Sequence, residues 1–238
     1  EIKQPRGGYI KPSQFEFQEI NDGQVLNEGE NIHASVIGMA VDYLTRFTMG
    51  TKLEEAFSIS CKGAEWASHS GRKDAAKEAN KYLSQIKGLD DNSIVNACKM
   101  VTFDVWFRNP TRALLAKTAS QTNPDLDTIK NIRIMVERSI EFWNKYGPII
   151  KDGFTFEPTG YTQTVNTGDG DFLTSDTLWD FKVSKSKPTD KHTLQLLMYW
   201  IMGQHSGKPE FKGINKLGIF NARLNTVHIL KMEEIPKD

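Results

Sequence analysis

Residues 168–183 read Gly168-Asp169-Gly170-Asp171-Phe172-Leu173-Thr174-Ser175-Asp176-Thr177-Leu178-Trp179-Asp180-Phe181-Lys182-Val183. A Gly-rich turn leads into Asp171-Phe172-Leu173, and a second turn at Ser175-Asp176 precedes residues 178–183. The stretch therefore predicts two short strands. Alternation along the second puts Asp180 and Lys182 on one face and Trp179, Phe181 and Val183 on the other. A hairpin of this length would bring Asp171 beside Asp180. Two carboxylates and a lysine then converge at the edge of an otherwise apolar sheet.

Downstream comes a basic loop marked by Pro188, then a helical pattern at 189–202. Strand patterns at 217–221 and 226–230 follow, parted by Arg223-Leu224-Asn225. Upstream, 154–157 and 161–165 also read as strands. Before Pro148 the period is helical. Val36, Ile37, Ala40, Val41, Leu44 and Phe47 recur at three-to-four spacing, with Asn31 as N-cap and Gly50 as stop. Similar patterns cover 52–69, 72–87 and 92–107, and a long helix spans 125–146. Trp66, Trp106, Trp143 and Phe57 lie on these helical stripes and read as core rather than as base-stacking platforms. Residues 1–30 read as a loop or hairpin-like arm. This order predicts an α/β (α+β) chain in three parts: an arm at 1–30, a helical region at 31–147, and a mixed-sheet core at 148–238.

Lysines plus arginines equal aspartates plus glutamates, at 30 each, so no global basic charge argues for nucleic-acid binding. Phosphate contact must come from a local patch. Lys185, Lys187 and Lys191, beside Lys182 and His192, supply one, with a solvated lysine-rich loop as the alternative. The two cysteines, Cys61 and Cys98, are too few for a disulfide framework and too far apart for a C-x-x-C clip. Free thiols in a reducing cytoplasm are the expectation. No apolar run approaches the roughly 20 residues that span a bilayer, so no membrane partner is expected. The N-terminus shows no signal-peptide pattern, although it also lacks an initiator Met. A cytoplasmic location is expected.

Nucleotide-binding glycine loops and the G-x-S-x-G elbow are absent. The histidines show no H-x₃₋₅-H pairing for zinc, and Asp169-x-Asp171 lacks the rest of a calcium loop. Asp171, Asp180 and Lys182 fit phosphodiester hydrolysis instead. Carboxylate oxygens suit Mg²⁺ or Mn²⁺, and a neighbouring lysine can orient water or meet charge developing on the phosphoryl group. By itself a D-x-K in a strand is common and reads as a plain solvated face before it reads as a site.

Context adds specificity. On the following helix Gln195 and Tyr199 are four apart and share a face, beside the apolar Leu194, Leu197, Met198 and Ile201. The series Gly168-Asp169-Gly170-Asp171, Asp180-Phe181-Lys182 and Gln195-Leu196-Leu197-Met198-Tyr199 resembles the PD-(D/E)xK nuclease superfamily. The resemblance is to the branch that includes the RecB nuclease domain and CRISPR-associated exonucleases, with G-x-x-D, D-x-K and Q-x-x-x-Y in this order. It covers roughly residues 154–230, about a third of the chain.

That resemblance implies a restriction-endonuclease-like mixed β-sheet core flanked by helices, with the helical region as a cap or wall of the substrate channel. Asp171 and Asp180 would be metal ligands, together with the backbone carbonyl of Phe181. Lys182 would be the catalytic lysine, and Gln195 and Tyr199 would support the site or touch the nucleic acid. A histidine from the helical region and an acid from the first core strand commonly join the metal shell in that branch, and His33 and Glu157 are the candidates. The implied activity is Mg²⁺- or Mn²⁺-dependent hydrolysis of DNA, with exonuclease action favoured, as in restriction, recombination or phage defence. The proline of the eponymous P-D is missing here. The cysteines that hold an iron–sulfur cluster in some members are missing too, so no cluster is expected. The rival expectations are a catalytically silent module of the same fold that binds DNA or protein, and a subunit active only within a larger complex.

Overall fold

The computed structural model describes residues 3–156 and 168–235. The chain divides into two compact units: a sheet unit of Glu1–Asp22 with Glu141–Asp238, and a helical unit of Gly23–Ile140. No helix among the described residues is long and apolar enough to cross a membrane.

The sheet unit is a mixed α/β structure. Its strands are β1 (Glu16–Glu19), β2 (Lys151–Thr155), β3 (Asp169–Leu173), β4 (Thr177–Lys182), β5 (Lys216–Asn221) and β6 (Thr226–Lys231), in the spatial order β1-β6-β5-β4-β3-β2. The β4–β5 pair is parallel and every other pair antiparallel. A parallel pair needs a crossover, because its strands leave in the same direction; the helix at Asp190–His205 provides it. Strand β1 comes from the N-terminal arm and pairs with β6, Phe17 opposite His228. The expected strand at 161–165 lies outside the described residues, and β2 starts and ends earlier than the 154–157 pattern indicated.

In the helical unit, α1 is Ala34–Thr48, α2 Leu53–Ala56, α3 Ser58–His69, α4 Ala75–Leu83, α5 Asp91–Met100, α6 Asp104–Arg108 and α7 Pro110–Ala113. Helix α8, Leu126–Tyr146, begins in this unit, and its last turns belong to the sheet unit; α9 is the crossover helix Asp190–His205. The cap of α1 is His33 rather than Asn31: its Nδ1 accepts the Ser35 N–H at 3.2 Å. Asn31 Oδ1 is instead committed to the Asp125 N–H and the Thr128 hydroxyl. Of the aromatics expected in the core, Phe57 and Trp143 are buried, but Trp66 is 54% exposed. The buried side of α3 is built from Ser60, Gly63, Ala64 and Ala67. Trp66 faces away from that side and meets Phe107 edge-on, at 6.4 Å between ring centroids.

The two faces of the sheet have different chemistry, as the alternation along β4 requires. On one face Trp179, Phe181 and Phe220 pack with Phe142, Trp143 and Tyr146; the rings of Phe142 and Phe220 stack at 4.0 Å. On the other, Leu173, Leu178, Leu217, Ile219 and Leu230 form a core with Leu196 and Met202 of α9. Asp180 and Lys182 share the α9 face with Leu178. The Trp200 indole N–H donates to the Ile214 carbonyl at 2.9 Å and anchors the helix against the sheet.

Candidate active site

Asp180 lies in the second half of β4, and its side chain is close to His192 in the first turn of α9. The β3–β4 register sets Phe172 opposite Trp179 and Leu173 opposite Leu178. One step further along places Asp171 opposite Asp180 on the same face. There the backbone ladder gives way: the Phe181 N–H donates to Asp171 Oδ2 at 2.8 Å. A strand donor is thereby satisfied by a side-chain carboxylate, which fixes that carboxylate at the sheet.

Asp180 is 6% exposed. Its Oδ1 accepts from Lys182 Nζ at 2.7 Å, while among the described residues its buried Oδ2 has no hydrogen-bond partner. Burial pushes its carboxyl above the usual range, opposed by Lys182, His192 and Asp171. For Lys182, burial alone would lower the ammonium, but the Asp180 carboxylate beside it, with Asp171 and Tyr199 beyond, raises it overall. Lys182 is thus held protonated within a cluster that carries two acids.

Helix α9 contributes the opposite wall. Gln195 Nε2 donates to the Tyr199 hydroxyl oxygen at 2.9 Å, so the tyrosine keeps its own proton free to donate. Burial and the nearby Asp171, Asp169 and Asp180 hold that phenol protonated. Gly168, the first residue of the G-x-x-D run, lies against this ring: a Cβ there would come within 2.7 Å of Tyr199 Cε1. The glycine makes room for the tyrosine.

The structure thus brings Asp171, Asp180, Lys182, Gln195 and Tyr199 together. Phe181 supplies the N–H just described, and its ring packs against Phe172 and Phe220 on the far face. Lys185, Lys187 and Lys191 are exposed on the loop and first turn that follow β4. His33 belongs to the helical unit, where its Nδ1 is occupied by Ser35. Glu157 lies outside the described residues. Among the described residues, no three or more His, Cys, Asp or Glu side chains gather as a metal-ligating group.

Two residues outside the expected catalytic set shape the site. His192 faces Asp180 and Lys182, and burial and the lysine lower its ring below the ordinary histidine value. It closes a capping box with Thr189, whose N–H it accepts on Nδ1 at 3.1 Å; the Thr189-x-x-His192 spacing carried that signal. Asn221, 1% exposed at the end of β5, donates to the Ser184 carbonyl at 2.9 Å and accepts the Ser184 N–H. It pins the start of the lysine loop. Nothing in its sequence neighbourhood marks it, because the pairing that brings it there spans 37 residues.

Comparisons of the chain with protein-family models, with curated proteins and with solved structures returned no match.

Proposed function

We propose that the sheet unit is a metal-dependent nuclease of the restriction-endonuclease-like fold, hydrolysing phosphodiester bonds of DNA, with exonuclease action favoured. The observation that carries the reading is the buried Asp180 carboxylate. One of its oxygens is held by Lys182, the other has no partner among the described residues, and Asp171 stands across the strand pair. A buried acceptor without a partner costs on the order of 1–3 kcal/mol, more when it is charged. A fold that keeps one at a polar edge has a use for it.

The donor set suits Mg²⁺ or Mn²⁺, since both acids offer hard oxygens, and Asp180 Oδ2 with Asp171 would hold the ion. Such an ion, when bound, polarises a phosphoryl oxygen and lowers the pKa of water. The chain's own groups do the rest. Lys182 Nζ, fixed by Asp180, presents a proton-bearing cation to an incoming phosphate oxygen or to the attacking water. The Tyr199 hydroxyl, its oxygen engaged by Gln195, donates to a substrate oxygen. Lys185, Lys187 and Lys191 attract the polyanion.

The test is cleavage of end-labelled DNA by the wild type and by Lys182→Ala and Asp180→Asn, with Mg²⁺, with Mn²⁺ or with EDTA. Cation-dependent cleavage lost in both variants supports the reading. Cleavage that survives both variants refutes it. Metal-independent DNA binding without cleavage would instead indicate the silent module.

A further inference from the structure

The helical unit carries an open-mouthed cavity of about 700 Å³. Its wall combines apolar side chains, among them Val36, Met39, Val101 and Val105, with the hydroxyls of Ser35, Thr102 and Thr122 and with Glu30, Asn31, His33, Arg112, Lys117 and Gln121. A mostly apolar cavity of that size with a few convergent polar groups is the ordinary form of a small-molecule site.

The polar set has one character. The carboxylate and the amide oxygens on the wall are engaged within the fold. Glu30 Oε1 accepts from Asn131 Nδ2 at 3.1 Å. Asn31 Oδ1 takes the Asp125 N–H at 3.0 Å and the Thr128 hydroxyl at 3.1 Å. Gln121 Oε1 takes the Thr118 N–H at 3.0 Å. The donors are not used up. Among the described residues neither Arg112 nor Lys117 makes an ion pair, and Gln121 Nε2 makes no hydrogen bond. Because His33 Nδ1 accepts the Ser35 N–H, its ring proton sits on Nε2, which adds another donor. Two cations and two neutral donors outweigh the one carboxylate on the wall and complement a group that accepts hydrogen bonds and carries negative charge.

We propose that this cavity binds an amphipathic organic anion. An oxyanion head (carboxylate, sulfonate or phosphate) is held by Arg112 and Lys117 with help from Gln121 and His33, and an apolar or aromatic body lies against Val36, Met39 and Val105. The site owes nothing to the nuclease reading, and its test reads binding rather than cleavage.

The full-length chain is titrated with 1-anilinonaphthalene-8-sulfonate, followed by fluorescence, beside the Arg112→Ala/Lys117→Ala double variant and the cavity-filling Val105→Trp. Circular dichroism checks that each is folded. The expected result is saturable binding at one site, weakened about tenfold or more in the double variant and lost in Val105→Trp. Both cations of the double variant are at the surface, so it keeps the test open should Val105→Trp not fold. Displacement by dodecanoate identifies an alkyl carboxylate ligand, and displacement by deoxyadenosine monophosphate a nucleotide. Displacement by neither overturns the proposal. Non-saturating fluorescence, unchanged binding in the double variant, or equally tight and equally cation-independent binding of the uncharged N-phenyl-1-naphthylamine also overturns it.

Discussion

Asp171 Oδ2 accepts the backbone N–H of Phe181 at 2.8 Å, so a β3 side chain takes the place of a ladder partner for β4. The carboxylate gains a fixed position from this bond, and β4 gains a satisfied donor where its pairing with β3 runs out. On either side of Phe181 stand Asp180 and Lys182, joined at 2.7 Å. One backbone bond therefore sets the spacing of all three charged groups.

Asp171→Asn and Asp171→Ala should separate this structural role from the chemical one. The asparagine Oδ1 can keep the Phe181 N–H, so its unfolding free energy should stay close to that of the wild type. Alanine leaves that N–H without its acceptor and should cost about 1–3 kcal/mol. Both should lower cleavage, on the order of 10²-fold or more if the carboxylate acts on the reaction. Urea unfolding and a cleavage assay read the two effects independently.

Gly168→Ala is expected to displace the Tyr199 ring, since its Cβ would come within 2.7 Å of Cε1. The Gln195–Tyr199 hydrogen bond would stretch or break, and cleavage should fall while circular dichroism stays unchanged. Gly168→Ala combined with Tyr199→Phe should then be little worse than Tyr199→Phe alone, because both act through one hydroxyl.

Replacing Lys185, Lys187 and Lys191 by alanine should weaken duplex DNA binding without sequence preference. If each contacts one phosphate, the slope of log affinity against log salt should flatten by about 0.9 per lysine. An unchanged slope would mark them as a solvated loop.

In the helical unit, buried Asp104 accepts from the Ser60 hydroxyl and from the Tyr43 hydroxyl, the latter at 2.6 Å. Burial raises its carboxyl, against the opposing hydrogen bonds and Arg108. The folded pKa lies above the unfolded one, so the stability this group contributes is complete below the unfolded value and is lost as pH rises through the folded value. As pH rises above the ordinary carboxyl range, the unfolding free energy of the wild type should therefore decline relative to Asp104→Asn. A difference that grows with pH would contradict the raised carboxyl. Tyr43→Phe, which removes one donor to Asp104, should cost about 1–3 kcal/mol in urea unfolding.

Much of the candidate site was legible because its signals are local. The alternation of Asp180 and Lys182 against Trp179 and Phe181 needs six residues of β4, and the structure places the two sets on opposite faces as expected. The four-residue step from Gln195 to Tyr199 needs one helical turn, and the two side chains are bonded. What was not legible depends on distant partners. The pairing of β1 with β6 joins residues about 210 apart, and no composition of Glu16–Glu19 announces it. The parallel β4–β5 pair was not assigned from the sequence, although the helix expected at 189–202 between its two strands is the crossover such a pair needs. Asn31 has the right chemistry for an N-cap, but its side chain was claimed by the start of α8, and His33 capped α1 instead. Trp66 satisfied a helical stripe by spacing alone. The small residues of α3 took the buried side, and the ring stayed outside.

The central claim is that Asp180 and Lys182 serve a cation-assisted cleavage. The most direct measurement follows labelled single- and double-stranded DNA over time with Mg²⁺, Mn²⁺ or EDTA, for the wild type beside a folded Asp180→Ala control. The account predicts products with either cation, none with EDTA, and none from the control, with a ladder that shortens from one end. Full cleavage by Asp180→Ala, or no cleavage by well-folded wild type with either cation, would contradict it.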